Sequence, residues 1–143
     1  MKYDPDKVTW RHTSDIPLIA CMVEEGIENT EEQYNLFLKA EDKPHVLDDY
    51  TVNRALKLAE EDSVFIEIYQ EQLNRWRKVT LTTSQENKIN RIEQELEKYS
   101  NLHQKYFELV KKISEGTIEK IMDMDDAELA LKVLSGELPD PLK

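Results

Sequence analysis

Between Ile89 and Ile113 the apolar residues recur at alternating steps of three and four. Ile89, Leu96, His103 and Val110 occupy one heptad position, and Ile92, Tyr99, Tyr106 and Ile113 occupy the other. A repeat of about 3.5 residues, sustained this long, requires a helix whose seam runs beside nearly parallel neighbours, as in a bundle or coiled coil. Leu102 and Leu109 flank the seam. A capping-box pattern, Thr82 with Gln85 or Thr83 with Glu86, opens the segment, and Gly116 closes it. Other helices of the chain, a second copy of it or another protein must therefore cover this stripe.

Two earlier stretches carry the same period. In the first, Ile16, Ile19, Met22 or Val23, Ile27, Thr30, Tyr34, Phe37 and Leu38 mark one helical face, opposite Glu24, Glu25, Glu28, Glu31 and Glu32. Ser14 or Asp15 offers an N-cap, Pro17 suits the first turn, and Gly26 marks a close crossing or a kink. In the second, Val52, Leu56, Ala59, Ser63, Ile66, Leu73 and Trp76 or Arg77 form the stripe, and Leu58, Phe65, Ile68 and Tyr69 widen it. So broad a stripe implies more than one neighbour. Asp48 or Asp49 caps this helix after the break at Pro44. The three helices are expected to be about 26, 28 and 31 residues long, lengths that suit an antiparallel bundle joined by short links.

The expected fold is all-α, an elongated antiparallel bundle with coiled-coil-like packing plus one or two short helices after Gly116. Residues 1–14 read as an N-terminal arm anchored by Val8 and Trp10, residues 15–136 as one bundle domain, and residues 137–143 as a tail. Only three glycines in 143 residues agree with long helices.

Charge narrows the partners. The net charge is −11: residues 1–42 hold 4 basic and 10 acidic side chains (−6), residues 43–82 hold 6 and 7 (−1), residues 83–116 hold 6 and 6, and residues 117–143 hold 3 and 7 (−4). Such a chain lacks the clustered Lys and Arg that nucleic acid or an anionic membrane surface requires. The longest apolar run, Ile16 to Val23, is too short to span a bilayer, and Asp4, Asp6 and Asp15 are unlike the basic start of a signal peptide. The lone Cys21 cannot form an internal disulfide, and its apolar surroundings, "PLIACMV", read as core. A cytoplasmic location is expected.

The sequence offers few sites. "EEGIE" sets Glu24, Glu25 and Glu28 within one helical turn, a cluster that can hold Mg²⁺. It resembles the first half of the acidic signature of the all-α nucleotide pyrophosphohydrolases. That resemblance implies a Mg²⁺-dependent hydrolase working from the acidic face of the first helix. The family's second half, Glu-x-x-Asp on another helix, occurs only at Glu137 to Asp140, in the tail. "DMDDAE", from Asp123 to Glu128, lacks the glycine and the twelfth-position Glu of a calcium loop, and helix capping accounts for it. None of the three histidines follows a Glu by three residues, as a di-iron site would require. "KPHVLDDYTV" gathers His45, Asp48, Asp49, Tyr50 and Thr51 into a polar connector able to face a partner. His103 stands at a seam position where Ile, Leu or Val would pack better, as a tolerated polar residue or as a register or pH device.

With no catalytic constellation in view, the expected function is a non-catalytic interaction or adaptor module with another protein as its partner and no cofactor. Two alternatives accompany it: the hydrolase just named, and an acidic inhibitor that occupies a nucleic-acid site on its target. If a second copy covered the third helix's seam, the protein would be a homodimer.

Overall fold

The computed structural model describes residues 3–43 and 47–116. Among these residues every regular element is helical. Two short 3₁₀ turns, Pro5–Lys7 and Thr13–Asp15, lead into α1 (Ile16–Ala40), α2 (Asp49–Trp76) and α3 (Thr83–Ser114). His45, the short helices expected after Gly116 and the segment around Asp123 lie outside the described residues.

The helix starts follow from local hydrogen bonding. α3 opens with a full capping box: the Gln85 N–H donates to Thr82 Oγ1 (3.1 Å) and the Thr82 N–H to Gln85 Oε1 (2.9 Å). α2 is capped by Asp48, whose Oδ1 accepts the Thr51 N–H at 2.7 Å. Each such cap stabilises by about 1 kcal/mol. Asp15 stands at the N-cap of α1 but makes no side-chain capping bond. His12 does the local work instead, its Nδ1 accepting the Ser14 N–H at 3.1 Å.

α3 is the shared element. Both α1 and α2 pack along it, while α1 and α2 make little direct contact with each other. Both seam rows of α3 are buried except at half-buried His103. The seam is thus covered within the chain, so a second copy is not what covers it.

The core falls into two clusters. One joins Ile16, Ile19 and Val23 with Ile66, Leu73 and Trp76, and with Ile89, Ile92 and Leu96. The other joins Phe37 with Val52, Ala55 and Ala59, and with Tyr106, Val110 and Ile113. The start of α1, the end of α2 and the start of α3 meet in the first cluster, so α2 runs opposite to α1 and α3. At the edge of the first cluster lies a polar waist, where its member Tyr99 hydrogen-bonds Thr30 and has Asp62, itself near His103, close by. Gly26 sits there against Tyr99. A Cβ at residue 26 would fall 2.7 Å from the Tyr99 hydroxyl, so the glycine marks the close crossing of α1 and α3.

Three expectations need correction. Cys21 is exposed, not core. The run "PLIACMV" covers every side of a helix, and only the side of Ile16, Ile19 and Val23 meets α3, which leaves Leu18, Cys21 and Met22 outside. Leu38 is likewise exposed beside buried Phe37. On α2 the buried set is Val52, Ala55, Ala59, Ile66, Tyr69, Gln72, Leu73 and Trp76, so Leu58 and Phe65 are left exposed and the stripe is narrower than expected.

The N-terminal arm docks on the end of α2. Gln72, only 3% exposed, accepts the Arg11 N–H through Oε1 (2.6 Å) and donates through Nε2 to the Arg11 carbonyl (3.3 Å). Trp76 Nε1–H donates to the same carbonyl at 2.8 Å. The Arg75 guanidinium lies 4.2 Å from the Trp10 ring centroid. Trp10, one of the two anchors suggested by the sequence, is thus held by a cation–π contact.

Candidate functional site

The second half of α1 and the first half of α2 bound a groove of about 440 Å³ that reaches down to α3. Phe37, Ala55, Ala59 and Tyr106 form its apolar part, and Thr30, Gln33, Arg54 and Asp62 bring polar groups to it. Asp62 is its distinctive residue. Burial raises its carboxyl pKa, Glu61 adds to the rise, and nearby His103 opposes it. The phenols around it respond in turn. Burial, then the Asp62 charge, pushes Tyr99 up to about 12 even though it hydrogen-bonds Thr30. Tyr69 and Tyr106 are raised by the same two causes in the same order. A carboxylate short of solvent gains from any cation brought to it.

Along the groove's α2 edge runs an exposed strip, of which Arg54 and Leu58 also line the groove. Tyr50, Arg54, Leu58, Glu61 and Phe65 are all exposed, and their spacing of four, four, three and four sets them on one side of the helix. Arg54 Nη1 lies 3.5 Å from the Tyr50 hydroxyl, which ties the two side chains together. Phe65 stacks on Tyr69, with ring centroids 6.4 Å apart.

The residues singled out from sequence are dispersed. Glu24, Glu25 and Glu28 are exposed on α1. Among the described residues no group of three His, Cys, Asp or Glu side chains is placed to hold a metal ion. Asp48 is a helix cap, and its bond with Thr51 lowers its carboxyl pKa. Asp49 is half-buried in the first turn of α2, where an acidic residue favours the helix dipole. Tyr50 belongs to the exposed strip. His103 Nε2–H donates to the Ala59 carbonyl at 2.6 Å, and its ring stacks on Phe107. That bond gives the imidazole a role in holding α2 against α3. Cys21 lines a separate cavity of about 290 Å³ between α1 and α3, and the Glu25 carboxylate pushes its thiol pKa up, away from the nucleophilic thiolate.

Sequence reasoning missed Asp62 as a groove residue and Gln72 as a buried clamp, and it read Leu58 and Phe65 as the flanks of a stripe that needs more than one neighbour. For Leu58 and Phe65 a signal was present in the breadth of the apolar stripe on α2, whereas Asp62, a charged residue between them, carried none. Gln72 gave no such signal, since a lone Gln in a helix reads as solvated.

No helix of the described residues is long and apolar enough to cross a membrane. Comparison with known proteins finds no matching family model, no similar curated protein and no similar solved structure.

Proposed function

We propose that the protein is a non-catalytic interaction module that presents the outer face of α2 to a protein partner. One observation carries this reading: Tyr50, Leu58 and Phe65 stand 71%, 48% and 50% exposed in a single line with Arg54 and Glu61. Isolated exposed apolar residues need no explanation, but aligned aromatic, aliphatic and Arg side chains match the composition of contact surfaces. In this reading the two rows of α3 pack in coiled-coil fashion and stiffen an elongated bundle, so that the strip is displayed on a fixed scaffold. A reducing compartment such as the cytoplasm suits a chain with an exposed free thiol at Cys21.

The test compares the wild-type chain with a Leu58→Glu, Phe65→Glu chain, each immobilised and exposed to host-cell extract, with retained proteins quantified by mass spectrometry. The two chains should match in helicity, since neither side chain is buried. The reading expects at least one protein to be retained about tenfold better by the wild type, the equivalent of one lost contact residue. If both chains retain every protein equally, α2's outer face is not an interaction surface.

A further inference from the structure

The exposed strip of α2 has an internal symmetry. Tyr50 and Phe65 stand at its ends, Arg54 and Glu61 lie inside them, and Leu58 is at the centre. Read in reverse about Leu58, the strip places aromatic opposite aromatic and base opposite acid. We infer that this strip is a self-complementary contact at which α2 of a second copy of the chain packs antiparallel, centred on Leu58. The inference rests on the interaction reading above and names its partner.

A two-fold contact requires each residue i that meets j to be matched by j meeting i. Here Leu58 meets the second copy's Leu58. Arg54 meets the second copy's Glu61, with that copy's Asp62 at the inner edge of the same contact. Tyr50 meets the second copy's Phe65, and every pairing except the central one occurs twice. Side-chain direction supports the arrangement, because residues at steps of four, four, three and four project along one seam of an antiparallel helix pair.

Charge complementarity also favours a second copy over other occupants. The strip contains one base and one acid that satisfy each other across the two-fold axis. It lies in the stretch 43–82, whose balance is −1, whereas residues 1–42 carry −6 and would repel a copy of themselves. The chain's own residues 117–136 hold Lys120 and Lys132 against Glu119, Asp123, Asp125, Asp126 and Glu128, a net −3, and so bring little to Glu61 and Asp62. The contact would also place the Arg54 cation near Asp62, whose carboxyl is short of solvent.

Sedimentation equilibrium on the full chain tests this. The wild type should show a concentration-dependent mass rising from one 16.9 kDa chain to two. Leu58→Glu should leave the mass at one chain without changing the far-ultraviolet circular dichroism. Arg54→Glu and Glu61→Arg should each weaken self-association about tenfold, since each sets like charges opposite twice. Mixed together, these two variants should form a heterodimer about as tight as the wild-type dimer, because each then meets its opposite charge at both contacts. Failure of the mixture to restore association, or a dimer indifferent to Leu58→Glu, would overturn the proposal. So would a wild-type monomer at every concentration. In that case a lower thermal midpoint for Leu58→Glu would show that Leu58 serves packing within its own chain. An unchanged midpoint, with selective loss of another retained protein, leaves the interaction reading standing without the second copy.

Discussion

At the end of the bundle where α1 begins, α1 and α2 are tied together by a piece of backbone. The arm's Arg11 is gripped by Gln72 and Trp76, and Trp10 lies under Arg75. At the opposite end the same two helices bound an open groove with Asp62 on its wall. The first end has used its polar side chains to satisfy buried backbone groups. The second leaves polar groups at the groove and an exposed strip of apolar and charged side chains along its edge. One end is thus closed by the arm and the other left open, and under the proposed function the open end is the one that meets a partner, as expected when binding regions are drawn from the less tightly packed parts of a fold.

This contrast predicts where substitutions hurt most. Trp76 is buried and holds the arm, so Trp76→Ala should cost about 3–5 kcal/mol, by loss of packing and of the Arg11 bond. Chemical denaturation measures the loss. It should be accompanied by faster amide exchange in residues 3–15. A loss below about 1 kcal/mol would mean that the arm end is no firmer than the groove end.

Gln72→Leu keeps the volume but removes both bonds to Arg11, leaving its N–H without this partner. A loss of about 1–3 kcal/mol is expected. If stability rises instead, the polar clamp is a burden that an apolar contact relieves, and the two ends differ less than their bonding implies.

Gly26→Ala probes the waist between the ends. Helix propensity alone would favour Ala by about 1 kcal/mol. The new Cβ, however, meets Tyr99, so α1 and α3 must part, at a net cost of about 1–2 kcal/mol. Combining it with Tyr99→Phe should recover part of the loss, because the hydroxyl is among the nearest atoms. No recovery in urea titrations would place the strain in the ring itself.

The smallest effect belongs to the groove. Asp62 faces His103 and Glu61 and lies near the phenols of Tyr69, Tyr99 and Tyr106. Its folded pKa is raised above the unfolded value of about 3.9. The protonated form therefore favours folding, fully so below the unfolded pKa, and that contribution is lost as pH rises through the folded one. At neutral pH the ionised carboxyl is a cost. Asp62→Asn, made in the Leu58→Glu background, should raise the thermal midpoint at neutral pH, with the gain shrinking toward zero near about pH 4. A lower midpoint at neutral pH would show that the carboxylate makes a bond on which the groove depends.

How far the sequence could be read depended on which interactions leave a periodic trace. The helices, the Thr82–Gln85 box and the Asp48 cap were legible because each is encoded within a few residues, whereas Gly26 could be read as a crossing or a kink and Tyr99, which it meets, lies far along the chain. The side of α1 that turns inward was not legible. "PLIACMV" fits several registers, and only the position of α3 decides that Val23 goes in and Cys21 stays out. The Gln72 clamp joins residues 61 apart and cannot be inferred from either partner's neighbourhood. The groove around Asp62 exists only because α1 and α2 both lean on α3 rather than on each other, a feature of assembly that periodicity does not carry.

That leaning also sets an order of events. α2 and α3 adjoin in sequence across residues 77–82, so their pairing closes a short loop, and the capping box at Thr82 favours the turn that starts it. α1 can dock only once α3 presents its seam, at much greater chain separation. The α2–α3 hairpin should therefore be the folding nucleus and α1 the last piece to lock. Native-state hydrogen exchange should show α1 opening at lower denaturant than α2 and α3. A nascent chain leaving the ribosome would expose the first helix longest, and the abundant glutamates on its outer face would keep that waiting segment from aggregating.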